Sequence, residues 1–180
     1  MQQQWLQVYS WQSFRLARDA AEILLAEDPY PNPESVIQKC AVTCMYTAYC
    51  RPFGHNHGAG QLPAEQVVPR EYADLHARMF EYRDKAIAHS DNEPDDVVTC
   101  AVNQVHLLIS GGNRSVSPII HFPQKHELVR IVEHCAILIR KAEYHMQKFG
   151  KKYVSPLHLG DGRYRLNAHA HDDNWLVKLE

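Results

Sequence analysis

Apolar side chains return at helical spacing along most of this chain. Over residues 3 to 27, Leu6, Tyr9, Leu16, Ala20, Ile23 and Leu24 make one stripe, widened by Trp5 and Phe14, and predict a first helix. Asp28-Pro29-Tyr30-Pro31 ends it, because proline disfavours helix at the residue before it. Asn32-Pro33-Glu34 has the order of an N-cap, a first-turn proline and a first-turn acid. The second helix is then expected to reach about Cys50, with Ile37, Cys40, Ala41, Cys44, Met45 and Ala48 on its apolar face. Pro52 closes it, and a loop fills 52 to 68. A third helix, from near Pro69 to about His89, carries the seam Leu75, Met79, Tyr82, Ala86 and His89.

Residues 97 to 122 change period. Val97, Val98, Val102, Val105, Leu107 and Ile109 favour strands, and Gly111-Gly112-Asn113 reads as a turn. A fourth helix over 124 to 149 has the cleanest seam: Leu128, Val132, Cys135, Ile139, Ala142, Met146 and Phe149. Gly150 suits the left-handed residue after a helix. Four such stripes bury one another as a bundle. The expected fold is therefore mostly α: a four-helix bundle with an inserted β-hairpin at about 97–122. The helical domain takes residues 1–150, and an irregular tail over 151–180 packs on it or extends from it.

Composition narrows the setting. No stretch approaches the roughly 18 apolar residues of a membrane span. The start, Met-Gln-Gln-Gln-Trp, lacks the basic-then-apolar pattern of a signal peptide. Five cysteines, an odd number, read as reduced core residues, so a cytoplasmic protein without membrane contact is expected. A formal net charge of -2 argues against coating nucleic acid through bulk positive charge.

The candidate chemistry lies at the end of the third helix, in Arg83-Asp84-Lys85-Ala86-Ile87-Ala88-His89-Ser90-Asp91. On a continuous helix Arg83 and His89 stand about 9 Å apart along the axis and roughly 120° apart around it. An imidazole moves protons near neutrality. A guanidinium grips phosphate oxygens and stabilises growing negative charge. Together they suit phosphodiester cleavage without a metal or other cofactor. The spacing itself recurs, in Arg51 with His57, Arg70 with His76 and Arg163 with His169, so it decides nothing alone. The plain alternative is that Arg83 pairs with a surface acid and His89 meets the helix C-terminal dipole.

The context of the pair, an Arg followed by a polar residue and a small apolar run before His-Ser-Asp, resembles the HEPN superfamily in its abortive-infection and toxin branch. Tyr49-Cys50-Arg51-Pro52-Phe53, with Asn56 nearby, resembles a block that accompanies the motif there. The resemblance covers roughly residues 5 to 149. It implies a helical bundle that often forms a homodimer, with two motif copies facing one cleft, and a metal-independent endoribonuclease activity. Arg83 would then position the scissile phosphate and His89 act as general acid or base on the RNA 2′-hydroxyl, with Asp84 orienting the pair. Arg51 and Asn56 would contact substrate. An antitoxin protein is a possible partner of such a toxin. Family members without activity imply an alternative: a non-catalytic module that binds nucleotide, RNA or protein.

Other clusters read more plainly. His55-x-His57 and His169-x-His171-Asp172-Asp173 do not by themselves supply the framed ligand set of a zinc site, and no metal is expected. Cys40 and Cys44 read as core, and Trp5, Tyr9 and Trp11 as core or dimer contacts rather than base-stacking rings.

Overall fold

The computed structural model describes residues 2–54, 60–84, 105–110, 113–118, 122–154, 162–166 and 176–179. The chain is mostly helical. Its long elements are α1 (Gln2–Ala26), α2 (Val36–Cys50), α4 (Ala73–Tyr82) and α5 (Lys125–Phe149), with a one-turn α3 (Ala64–Val67) and tight turns at Arg51–Phe53 and Arg70–Tyr72. α1 packs along both α5 and α2, and α4 leans on α2. The side of α1 that makes this possible is built from Ser13, Phe14, Ala17, Ala20, Ala21 and Leu24, all buried. Three alanines let two helix backbones come close, and Phe14 fills the space between them.

The buried faces are turned from those the apolar pattern predicts. Leu16 and Ile23 are 47% and 48% exposed, although the expected stripe included them. On α2, Ile37 and Cys40 are exposed and Cys44 is half-buried, while Gln38, Val42, Tyr46, Tyr49 and Cys50 face inward. On α5, Ile131, His134 and Leu138 join Leu128, Cys135, Ile139 and Ala142, and Val132 is only partly covered. On α1 small alanines take the buried side, and on α2 and α5 polar side chains enter the core while apolar ones are left outside. Gln38 is the clearest. Its amide donates to the Pro29 carbonyl at 2.9 Å, and its Oε1 accepts from the Asn32 N–H at 2.7 Å. A buried amide satisfied in this way costs little.

The cap of α2 is Ser35, not Asn32. Ser35 Oγ accepts from the Gln38 N–H, and Asn32 instead folds the approach, accepting from the Glu34 N–H. Gln124 and Glu127 cap α5 reciprocally. Gly150 differs from expectation too. Its φ of -52° and ψ of -46° are right-handed, so the chain does not turn off there but continues as one wider turn, Gly150–Val154. Cysteines 40 and 44 are not core, whereas Cys50 and Cys135 are.

Two strand pairs complete the described residues. β1 (Val105–Ser110) runs antiparallel to β2 (Asn113–Pro118), with Val105 opposite Pro118, and β3 (Arg163–Leu166) runs antiparallel to β4 (Leu176–Leu179). The remainder of the 97–122 region, residues 97–104, 111–112 and 119–121, lies outside them. Among the described residues no helix is long and apolar enough to cross a membrane.

Candidate functional site

The last turns of α4 carry Arg83 and Asp84. α4 closes with the Arg83 N–H donating to both the Met79 and Phe80 carbonyls, and the backbone widens there into a π turn. The Arg83 guanidinium lies 5.0 Å from the Phe80 ring centroid and donates from Nε to Asp84 Oδ1 at 2.6 Å. Both side chains reach solvent, at 27% and 47% exposure. Arg83 is thus held by a neighbouring acid and an aromatic face, not sunk in the interior.

Arg51 and Arg83 are brought to one end of the molecule. Cys50, which directly precedes Arg51, bonds its thiol to the Met79 carbonyl. Burial pushes that thiol up to about 12, with Arg83 close enough to pull it down and Asp84 to push it up. Arg51 itself is exposed and leans outward, donating from Nε to the Tyr9 hydroxyl at 2.9 Å with its guanidinium over the same ring. Tyr9 stacks on Trp5, so these two rings form an arginine platform rather than core. His89 and Asn56 lie outside the described residues, as do the histidines at 55, 57, 169 and 171. Among the described residues no three His, Cys, Asp or Glu side chains are grouped to hold a metal ion.

Behind Arg83 lies an arrangement that motif reasoning missed. Phe53, at the end of the Tyr49–Phe53 block, packs on α4 against His76 and Phe80, with ring centroids 4.7 and 6.0 Å away. The Tyr49 hydroxyl bridges two histidines, His76 Nδ1 at 2.7 Å and His134 Nε2 at 2.9 Å. Tyr72 stacks on His134, and Arg130 clamps α5 to α4 through two bonds to the Asp74 carboxylate, at 3.1 and 3.0 Å. That hydrogen bond to Arg130 holds the Asp74 carboxyl at about 2.

The direction of this chain of hydrogen bonds follows from one atom. His134 Nδ1 is sealed from solvent and has no partner among the described residues. A buried N–H without an acceptor is rarer and costlier than a bare lone pair. Burial, then His76, Lys141 and Arg130, depress His134 to about 4, which keeps the ring neutral. Its proton therefore sits on Nε2 and is donated to the Tyr49 oxygen. Tyr49 has a single hydroxyl proton, which must go to His76 Nδ1. His76, itself lowered by burial, then carries its proton on Nε2. That nitrogen has no partner among the described residues and is not sealed.

His76 lines a cavity of about 270 Å³ together with Phe53, Phe80, Ala77 and the segment Gln61–Glu65. The far wall is anchored by the Leu62 N–H, which donates to the Pro52 carbonyl at 2.8 Å. The sequence signals for this site are weak but real. His134 falls three residues after Ile131 and four before Leu138, on the buried side of α5, and a histidine there needs an internal partner.

Fold and site together define the class: a mostly helical protein with a solvent-reachable arginine at the end of a short helix, and a tyrosine–histidine network tying that helix to its neighbours. No family model, curated protein or solved structure matches the chain.

Proposed function

We infer that this chain is a HEPN-like, metal-independent endoribonuclease of toxin or defence type, working as a homodimer. The observation that carries the inference is the place of Arg83. It stands solvent-reachable at the end of α4, with the Tyr49–Phe53 block packed behind it. In this reading Arg83 grips the scissile phosphate. His89 takes the proton of the 2′-hydroxyl, the hydroxyl oxygen attacks phosphorus, and the 5′-oxygen leaves and takes a proton from water to become a 5′-hydroxyl, giving a 2′,3′-cyclic phosphate. Asp84 holds the guanidinium in place, and Arg51 with Asn56 contacts the RNA. The bundle is the four-helix core of that family, and the β1–β2 pair is an insert between the motif helix and α5. An antitoxin would be the partner that keeps the activity in check.

The Arg83–Asp84 ion pair favours a second reading, a non-catalytic module that binds nucleotide, RNA or protein. In that case the pair is structural and His89 has no proton to move.

The two separate in one experiment. Expression of the wild-type chain is induced in cells beside Arg83→Ala and His89→Ala, with growth and total RNA integrity followed and folding checked by circular dichroism. Cleavage predicts growth arrest and RNA decay for the wild type and neither for folded variants. Equal behaviour of all three chains sinks the ribonuclease reading.

A further inference from the structure

We propose that the cavity between Phe53, Phe80, His76 and Gln61–Glu65 is a nucleobase-binding subsite whose His76 Nε2–H donates to an acceptor on the edge of the base. Three observations converge on it. The first is size. At about 270 Å³ the cavity is at the small end of ligand pockets, room for one planar ring system and not for a whole nucleotide. The second is lining. Phe53, His76 and Phe80 form one aromatic wall, with His76 4.7 and 4.9 Å from the two phenyl centroids. Aromatic faces hold bases by stacking, whatever the base. The third is polarity. The Tyr49 bridge leaves the imidazole presenting a donor, so the ligand must bring an acceptor, as the ring nitrogens and carbonyls of nucleobases do. Glu65 and Gln61 also line the cavity and offer oxygens as acceptors for a base amino or imino group.

The position of the cavity deepens the function proposed above, and only its phosphate part rests on that reading. Phe80 forms the aromatic wall on one side and carries the Arg83 guanidinium on its ring. In this proposal the base sits against Phe80 with its sugar and phosphate turned toward Arg83. The network behind His76 serves as a brace: His134 and Tyr49 hold the donor in one tautomer, so that the site prefers an acceptor edge and discriminates against a plain apolar ring.

Nucleosides without phosphate test the cavity by itself. Uridine, adenosine and guanosine are titrated into the full-length protein, with the ring nitrogens of His76 followed by NMR and affinity measured in parallel. Benzyl alcohol is the control ring. At least one nucleoside is expected to bind saturably and move the His76 Nε2 resonance, with benzyl alcohol much weaker. Ala77→Phe, at an exposed position on the cavity rim, should abolish binding without unfolding the chain. His76→Phe keeps the ring but drops the donor, and should weaken binding about tenfold. The 3′-monophosphate of the bound nucleoside should bind tighter than the nucleoside, and Arg83→Ala should remove that gain alone. Absence of saturable nucleoside binding to the wild type, undiminished binding to Ala77→Phe, or equal binding of benzyl alcohol overturns the subsite. If nucleosides bind but Arg83→Ala and His89→Ala leave growth and RNA as in the wild type, the subsite stands and cleavage falls.

Discussion

Tyr49 does what no motif announces: one hydroxyl joins two helices by holding a histidine from each. The consequence is a pH-dependent stability. An unfolded histidine titrates near 6.5, and His134 in the fold is depressed to about 4, so below neutrality the unfolded chain takes up the proton first. Stability is then full above about pH 6.5 and falls as pH drops toward 4. The loss reaches about 3 kcal/mol at the acid end of that range. His76 is lowered too, chiefly by burial, and its contribution is likewise lost as pH falls below about 6.5. Asp74, held at about 2, loses its contribution only lower, below about pH 4. Urea unfolding from neutrality down to about pH 4 should show this slope in the wild type, and His134→Gln should flatten it even if the variant is weaker at pH 7. An unchanged slope in that variant would mean other groups carry the acid sensitivity. Residue identity alone shows a titratable ring on a buried seam. It does not show that Tyr49, 85 positions away, is its partner, because that pairing exists only once α2 and α5 are packed.

At the scale of elements, the ends of the two longest helices were legible and helix faces were not, while the third helix, expected from near Pro69, begins only at Ala73 after a tight turn. α1 and α5 begin and end within a residue or two of where apolar spacing and prolines place them. The error lies in rotation. On α2 the eye takes Ile37 and Cys40 as core, whereas the helix turns to bury Gln38, whose bonds to Pro29 and Asn32 hold the preceding turn in place. Hydrophobicity ranks side chains one by one, but a satisfied amide with a structural task outcompetes an unsupported isoleucine. Gly150 is a second case. A glycine after a long helix suggests a left-handed stop, yet its backbone is right-handed and open space surrounds the position of a Cβ. Gly150→Ala should therefore be tolerated and stabilise by about 0.4–1 kcal/mol, because alanine restricts the unfolded chain without strain in the fold. A Tm that drops instead would show that the residue is needed in the left-handed form in solution.

At the scale of the molecule, the part of the fold left over by the core is informative. α2 has only one charged residue, Lys39, and its outer side presents Val36 and Ile37 at 69% and 64% exposure, beside Cys40 and Thr43. α1 adds Leu16 and Ile23, each about half exposed. α1 packs against α2, and Arg51 at the end of α2 reaches Tyr9 near the start of α1, so the two helices run antiparallel. α2 bears no carboxylate, so two copies of α2 meeting about a two-fold axis would not oppose like acids. Ile37 lies at the end of α2 opposite to Arg51, so a second chain on this face covers the exposed apolar side chains without itself bringing the two arginine ends together. Sedimentation of the wild type should show a dimer, and Ile37→Glu should shift it to monomer, since a buried unpaired charge costs several kcal/mol. A monomeric wild type that still degrades RNA would leave the arginine in place but remove the two-chain cleft.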